Sequence, residues 1–173
     1  MHRNRSRRLS VLVLAVAVAA GSACAAGGVP AGAPSPAGVV EEARVFMDSY
    51  ARDLLAGNRA AISARYDRNG AYFMGNGRKE FQPYDSIAAR YGGPRWSPPA
   101  SFEWRDLSFE PVGPDAVVVL GRFLWGRGVA AAPVALSYTG LLRRQEGVLR
   151  IRLEDESVDP GTLPPPQPRD TAR

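Results

Sequence analysis

The stretch Val39–Met74, VVEEARVFMDSYARDLLAGNRAAISARYDRNGAYFM, decides the fold. Val39, Ala43, Phe46 (with Met47), Tyr50 and Leu54 recur at steps of three and four, so they form one apolar stripe of a long helix that must be buried. Glu41, Glu42, Arg44, Asp48, Arg52 and Asp53 take the opposite face. Gly57 supplies the left-handed residue that ends the helix at little cost, and Asn58 is a good cap for a second helix running to about Tyr66. The chain then turns at Asn69-Gly70 into a strand, Ala71-Tyr72-Phe73-Met74.

Working outward toward the C-terminus, Tyr84–Tyr91 is a third helix, with Pro83 ahead of its start and Gly92-Gly93-Pro94 ending it. Only strands follow. Ser101–Pro111 alternates Phe102 and Trp104, then Leu107 and Phe109, and the one-residue change of phase predicts a bulge near Arg105-Asp106. Ala116–Gly126 is apolar at nearly every position before Arg122, the pattern of a strand covered on both faces. Pro133–Arg144 and Val148–Ser157 read as a hairpin around Gln145-Glu146-Gly147. In its second arm Leu149, Ile151 and Leu153 alternate with Arg150, Arg152, Glu154 and Glu156, which puts the charges on the wet face. Helices first and a meander of antiparallel strands afterwards indicate an α+β domain over residues 39–157, with three N-terminal helices packed on one face of a curved antiparallel sheet.

Working outward toward the N-terminus, the charge balance changes meaning. The chain has 22 Lys+Arg against 17 Asp+Glu. Four of the arginines, Arg3, Arg5, Arg7 and Arg8, precede the apolar run Val11–Ala20, and no acid occurs before Glu41. With the leader set aside, 18 basic residues face 17 acidic ones, which removes the electrostatic footprint of a nucleic-acid binder. A basic segment, a short apolar core and small residues over residues 1–25 form the plan of a secretory signal peptide. The apolar core is too short to span a bilayer. Ser6-Arg7-Arg8 also partly matches a twin-arginine export signal.

Cys24 is the sole cysteine, so the domain holds no internal disulfide. Gly21-Ser22-Ala23-Cys24 resembles a bacterial lipobox, with Gly21 departing from the usual branched apolar residue, while Ala23-Cys24-Ala25 fits ordinary cleavage equally well. Both fates stay open: lipid anchoring at Cys24, or free release into the periplasm or medium. Residues 26–38 are an Ala/Gly/Pro tether, and the Pro-rich residues 158–173 are an extended or disordered tail.

The span 39–157 resembles the nuclear transport factor 2-like superfamily, in particular its SnoaL-like and ketosteroid-isomerase-like branch. The residues that carry the resemblance are Tyr50, Leu54 and Ala56-Gly57-Asn58, the Ile62–Tyr66 helix, the Tyr72–Met74 strand, Tyr84-Asp85-Ser86-Ile87, and the closing Thr139, Gly147 and Leu149-Arg150-Ile151 hairpin. The resemblance implies a conical pocket enclosed by helices and sheet, and pairing of two copies through the outer sheet face. Leu120, Leu124 or Trp125 would anchor such a homodimer, according to strand parity.

The resemblance also implies a chemistry to look for. Tyr50 matches the tyrosine that donates to an oxyanion in ketosteroid isomerases. The carboxylate base of that family falls on Met74, a thioether, and its second acid falls near Ser137 or Tyr138. Loss of a positioned base costs roughly 10²–10⁴ in rate. The only histidine is His2, in the leader, so neither a histidine base nor a metal centre is expected in the domain. Gly75-Asn76-Gly77 lacks the Lys-Ser and helix start of a phosphate loop, and no cofactor is implied. Asp155 is the one acid placed on the face of Leu149, Ile151 and Leu153, which makes it the candidate catalytic partner of Tyr50. Tyr50, Tyr72, Met74, Trp104, Ser137 and Thr139 are the expected lining of an apolar pocket with a few hydroxyls. The reading is an exported, non-catalytic domain that binds a small apolar ligand or a protein partner. The alternative is a cyclase, isomerase or dehydratase using Asp155 and Tyr50.

Overall fold

The computed structural model describes residues 35–128 and 131–159. The leader, Cys24, most of the tether and the tail beyond Asp159 lie outside the described residues. Helix α1 runs Pro36–Ala56, three residues earlier than Val39, because Ser35 accepts a hydrogen bond from the Gly38 amide (3.1 Å) and Pro36 fits the first turn. Its buried residues are Val39, Ala43, Met47, Tyr50 and Leu54. Each large apolar member of that stripe contributes about 1.5–3 kcal/mol by leaving water. Gly57, at φ 66°, closes the helix, and the Asn58 amide donates back to the Asp53 carbonyl at 2.9 Å. Asn58 then caps α2 (Arg59–Ala64) by accepting from the Ala61 amide at 3.3 Å.

Strands β1 (Ala71–Gly75) and β2 (Arg78–Gln82) form a hairpin ahead of α3 (Tyr84–Gly92). The sequence reading contains no β2, since its five residues are almost wholly exposed and lack an apolar alternation. Strands β3 (Ser101–Pro111), β4 (Ala116–Gly126), β5 (Val134–Gln145) and β6 (Val148–Val158) follow. The six strands lie in the order β2-β1-β6-β5-β4-β3. Neighbours are antiparallel except β1 and β6, which run parallel, so the sheet is mixed rather than antiparallel. The three helices cover one face, with α1 resting on β3, β4 and β6.

Two bulges set which residues face the helices. The first lies in β3 between Arg105 and Ser108, with Asp106 at φ 52°, where the phase change predicts it. The second corrects the reading of β6. Leu142 pairs with Ile151 and Leu141 with Leu153, so Arg152 is an extra residue and the alternation reverses after it. Leu149 and Ile151 are buried as expected, but the next inward residue is Glu154, 3% exposed. Leu153 and Asp155 therefore lie on the outer face. Strand β4 is covered on one face only: Val117, Val119 and Phe123 are buried, whereas Leu120 is 39% exposed on the outside. Leu124 shares that outer face, and Trp125 points inward.

Candidate functional site

Three tyrosines reach one point inside the domain from three separate segments of the chain, Tyr66 being held there by an isolated bridge to Ile151. Tyr50 is on α1, Tyr66 follows α2, and Tyr91 is in the last turn of α3. The Tyr66 hydroxyl lies 3.0 Å from that of Tyr50 and 2.7 Å from that of Tyr91, and donates to Glu154 Oε1 at 2.7 Å. Its single proton goes to the carboxyl, so its oxygen accepts from both other phenols. Tyr66 is thus the hub of a buried chain ending on β6. Phe73 stacks on Tyr66 at 5.4 Å between ring centroids, and Arg90 lies over Phe73 at 4.8 Å.

Two carboxyls face this chain. Burial pushes Glu154 up to about 8, and the charge of Glu156 adds to the rise, while the Tyr66 hydrogen bond and Arg90 oppose it. Glu156, half-buried, is raised to about 7 by burial, against the pull of Arg90. Burial raises the phenols of Tyr50, Tyr66, Tyr91 and Tyr138 as well, so all four remain protonated donors at neutral pH. Glu154 Oε2 and the Tyr138 hydroxyl are buried without a hydrogen-bond partner among the described residues. Tyr138 leans over Gly140, where a Cβ would come within 2.6 Å of its hydroxyl, and Gly140 pairs with Glu154 across the strands. A second glycine keeps β1 close to Glu156: Gly75 has φ 148°, and a Cβ there would lie 2.1 Å from the Glu156 carbonyl oxygen.

The chain opens into a cavity of about 320 Å³. Its aromatic walls are Trp96, Phe102, Trp104, Phe123 and Trp125, with Tyr50 and Glu156 also on its surface. Trp104 is fixed by donating its indole N–H to the Met47 carbonyl at 3.0 Å. Arg90, Arg95 and Arg127 bring positive charge to the lining. The wall formed by Trp96 depends on Arg59, whose guanidinium donates to the carbonyls of Tyr91, Gly92, Gly93 and Trp96 at 2.6–3.2 Å. It thereby satisfies the carbonyls at the end of α3, which stops at Gly92 where the sequence reading puts the end, and Gly93 follows with an ordinary φ of −75°. A larger groove of about 840 Å³ lies outside, between β2 and α3, and receives neither Tyr50 nor Glu156.

Of the residues expected to line a pocket, Tyr50 and Trp104 lie on the cavity, and Tyr72, Met74, Ser137 and Thr139 do not. The inward residues of β1 are Ala71 and Phe73, and those of β5 are Tyr138, Gly140 and Leu142, so the four belong to the outer face. Tyr72 packs there on Phe81 at 5.2 Å with Arg152 over it, and Ser137 donates to the Ser157 carbonyl at 3.2 Å. Asp155 is also outside and accepts from Ser157 Oγ at 2.9 Å. The reversal at Arg152 is the physical reason: it brings Glu154 and Glu156 inward in place of Asp155. The sequence reading placed Tyr66 and Tyr91 only at the ends of the second and third helices, and nothing in the alternation of β6 announced Glu154.

Among the described residues no group of acids, histidines or cysteines could hold a metal ion, and no helix is long and apolar enough to cross a membrane. The sequence matches no protein-family model and no curated protein. Its likeness to solved structures is extensive. An NTF-2-like protein of unknown function from Shewanella oneidensis superposes with a TM-score of 0.59 at 14% identity, covering 68% of this chain and 97% of that one. The CamKII hub homology domain of Chlamydomonas reinhardtii gives 0.57 at 16%, covering 70% and 98%. A protein from Parabacteroides distasonis described as a candidate ketosteroid isomerase gives 0.54 at 14%, covering 66% and 86%. These identities speak for architecture alone, and on that architecture the chain has the nuclear transport factor 2-like fold.

Proposed function

We propose that the domain binds a small, ring-bearing, largely apolar molecule in the cavity beneath α1 and α3. The observation that carries this reading is an aromatic-walled space of about 320 Å³, at the lower end of the usual range for small-ligand sites, with a few polar groups converging on it. A thermal-shift screen of one- and two-ring metabolites tests it, since a ligand of the folded state raises the melting temperature by mass action. Trp104→Ala should abolish the shift. A screen without hits, or hits untouched by Trp104→Ala, would count against the cavity.

A second reading is favoured by Glu156, a carboxyl raised to about 7 on the wall of a cavity that also holds Tyr50. Such a group is suited to taking a proton from a bound molecule, whereas the Tyr50 hydroxyl, whose proton goes to Tyr66, offers the ligand only an acceptor. This revises the acid of the alternative enzyme from Asp155 to Glu156. Exchange of ligand hydrogens with deuterated solvent, present in the wild type and lost in Glu156→Gln while binding persists, would separate a catalyst from a binder.

The setting we propose is the exported one expected from the leader, with Cys24 lipid-anchored or released by cleavage. Intact mass of the membrane and soluble fractions distinguishes the two. A homodimer through the outer sheet face would use Leu120 and Leu124, and Leu120→Lys with sedimentation analysis tests it.

A further inference from the structure

Most arginines of the domain have their charge or their donors engaged. Arg65 is paired with Asp53, Arg122 with Asp106, Arg143 with Asp67 (2.6 Å), and Arg144 with Glu42 (2.7 Å). Arg95 and Arg127 are different. Both line the cavity, both are exposed, and neither makes a hydrogen bond or ion pair among the described residues. They come from separate segments, Arg95 from the loop after α3 and Arg127 from the residue after β4. Arg90 adds a third guanidinium to the same lining, held across the Phe73 and Tyr91 rings. Against these three cations the lining offers one acid, Glu156.

A neutral apolar ligand would leave that charge unused. Guanidinium groups suit carboxylates, which accept two parallel hydrogen bonds from the planar fork. From the two unpaired arginines at the cavity we infer that the ligand is a small aromatic carboxylate, its ring between the aromatic walls and its carboxylate at Arg95 and Arg127. This inference rests on the cavity being a ligand site and adds the chemical class of the ligand. A cavity of this volume has room for one or two rings.

The chain's three tryptophans, Trp96, Trp104 and Trp125, all line the cavity, so intrinsic fluorescence of the full-length protein reports occupancy directly. The probes are benzoate and 2-naphthoate, each paired with its carboxamide, titrated at low and at 0.5 M salt. Two exposed guanidinium contacts should favour the carboxylate by about tenfold at low salt, with the preference shrinking in high salt. The double variant Arg95→Gln/Arg127→Gln should erase the preference while leaving carboxamide affinity within about twofold. Arg52→Gln, on the exposed face of α1, should preserve it. Equal binding of acid and amide by the wild type, or a preference that survives the double variant, overturns the inference and leaves the cavity reading standing. Binding of neither pair overturns both.

Discussion

Replacing Glu154 by Gln should make the protein more stable at neutral pH and change little in acid. The folded state holds this carboxyl at about 8, whereas the ordinary value is 4.5. The sign follows from the proton count. Between those two values the unfolded chain releases a proton that the folded chain keeps, so stability is full below about 4.5 and is lost as pH rises toward 8. The loss amounts to less than about 1 kcal/mol at pH 5 and up to roughly 4 kcal/mol at pH 7.5, a difference of about 3 kcal/mol. For a domain of this size that corresponds to roughly 10 °C in Tm. Gln keeps the acceptor oxygen that Tyr66 requires and has no proton to lose, so the hub hydrogen bond of 2.7 Å is preserved in kind. The assay is thermal unfolding of wild type and variant at half-unit steps from pH 4.5 to 8.5. The two Tm profiles should meet near pH 5 and diverge above it, the variant lying higher. Parallel profiles would refute the argument, because they would mean that Glu154 is solvated or ionised in the folded protein.

The hydroxyl chain makes a second expectation: Tyr66→Phe strands Glu154, Tyr50 and Tyr91 together and should cost about 2–4 kcal/mol, against roughly 1 kcal/mol for Tyr50→Phe. It should also raise Glu154 further, since the lost bond is one of the influences holding its value down, and urea unfolding at pH 5 and 8 reads both effects. Arg59→Ala frees four carbonyls at the end of α3 and should destabilise by roughly 2–3 kcal/mol. Hydrogen exchange should then quicken first at residues 92–97, and ligand affinity should fall with it because Arg95 and Trp96 sit on that segment.

The frame of the domain was readable because its signals are local. The stripe from Val39 to Leu54 and the Gly57-Asn58 stop each depend on residues within a turn or two, and α1 ends where they say. The β3 bulge was readable too, since apolar residues on both sides of Arg105-Asp106 exposed the change of phase. The β6 bulge was hidden by its surroundings: Leu153 continues the apolar alternation past Arg152, and the pairing that breaks it involves Leu141 and Leu142 on another strand. Strand β2 escaped because an exposed edge needs no apolar pattern, only a turn and a neighbour to bond to. The tyrosine hub lies between these cases. Its members stand on two helices and in the bridge that follows α2, and only the assembled fold shows that their hydroxyls meet.

The extra residue in β6 also bears on how such a site tolerates a change in strand length. Removing Arg152 alone would close the register, with the Leu142 and Ile151 pair followed directly by the Leu141 and Leu153 pair, and would leave Glu154 and Glu156 facing the helices on a regular alternation. A single in-frame codon deletion there therefore keeps the set of acids presented to the cavity, because the bulge absorbs the extra residue without displacing the pairs on either side. Within this architecture the length of one strand can change by a residue while the chemistry of the interior stays the same.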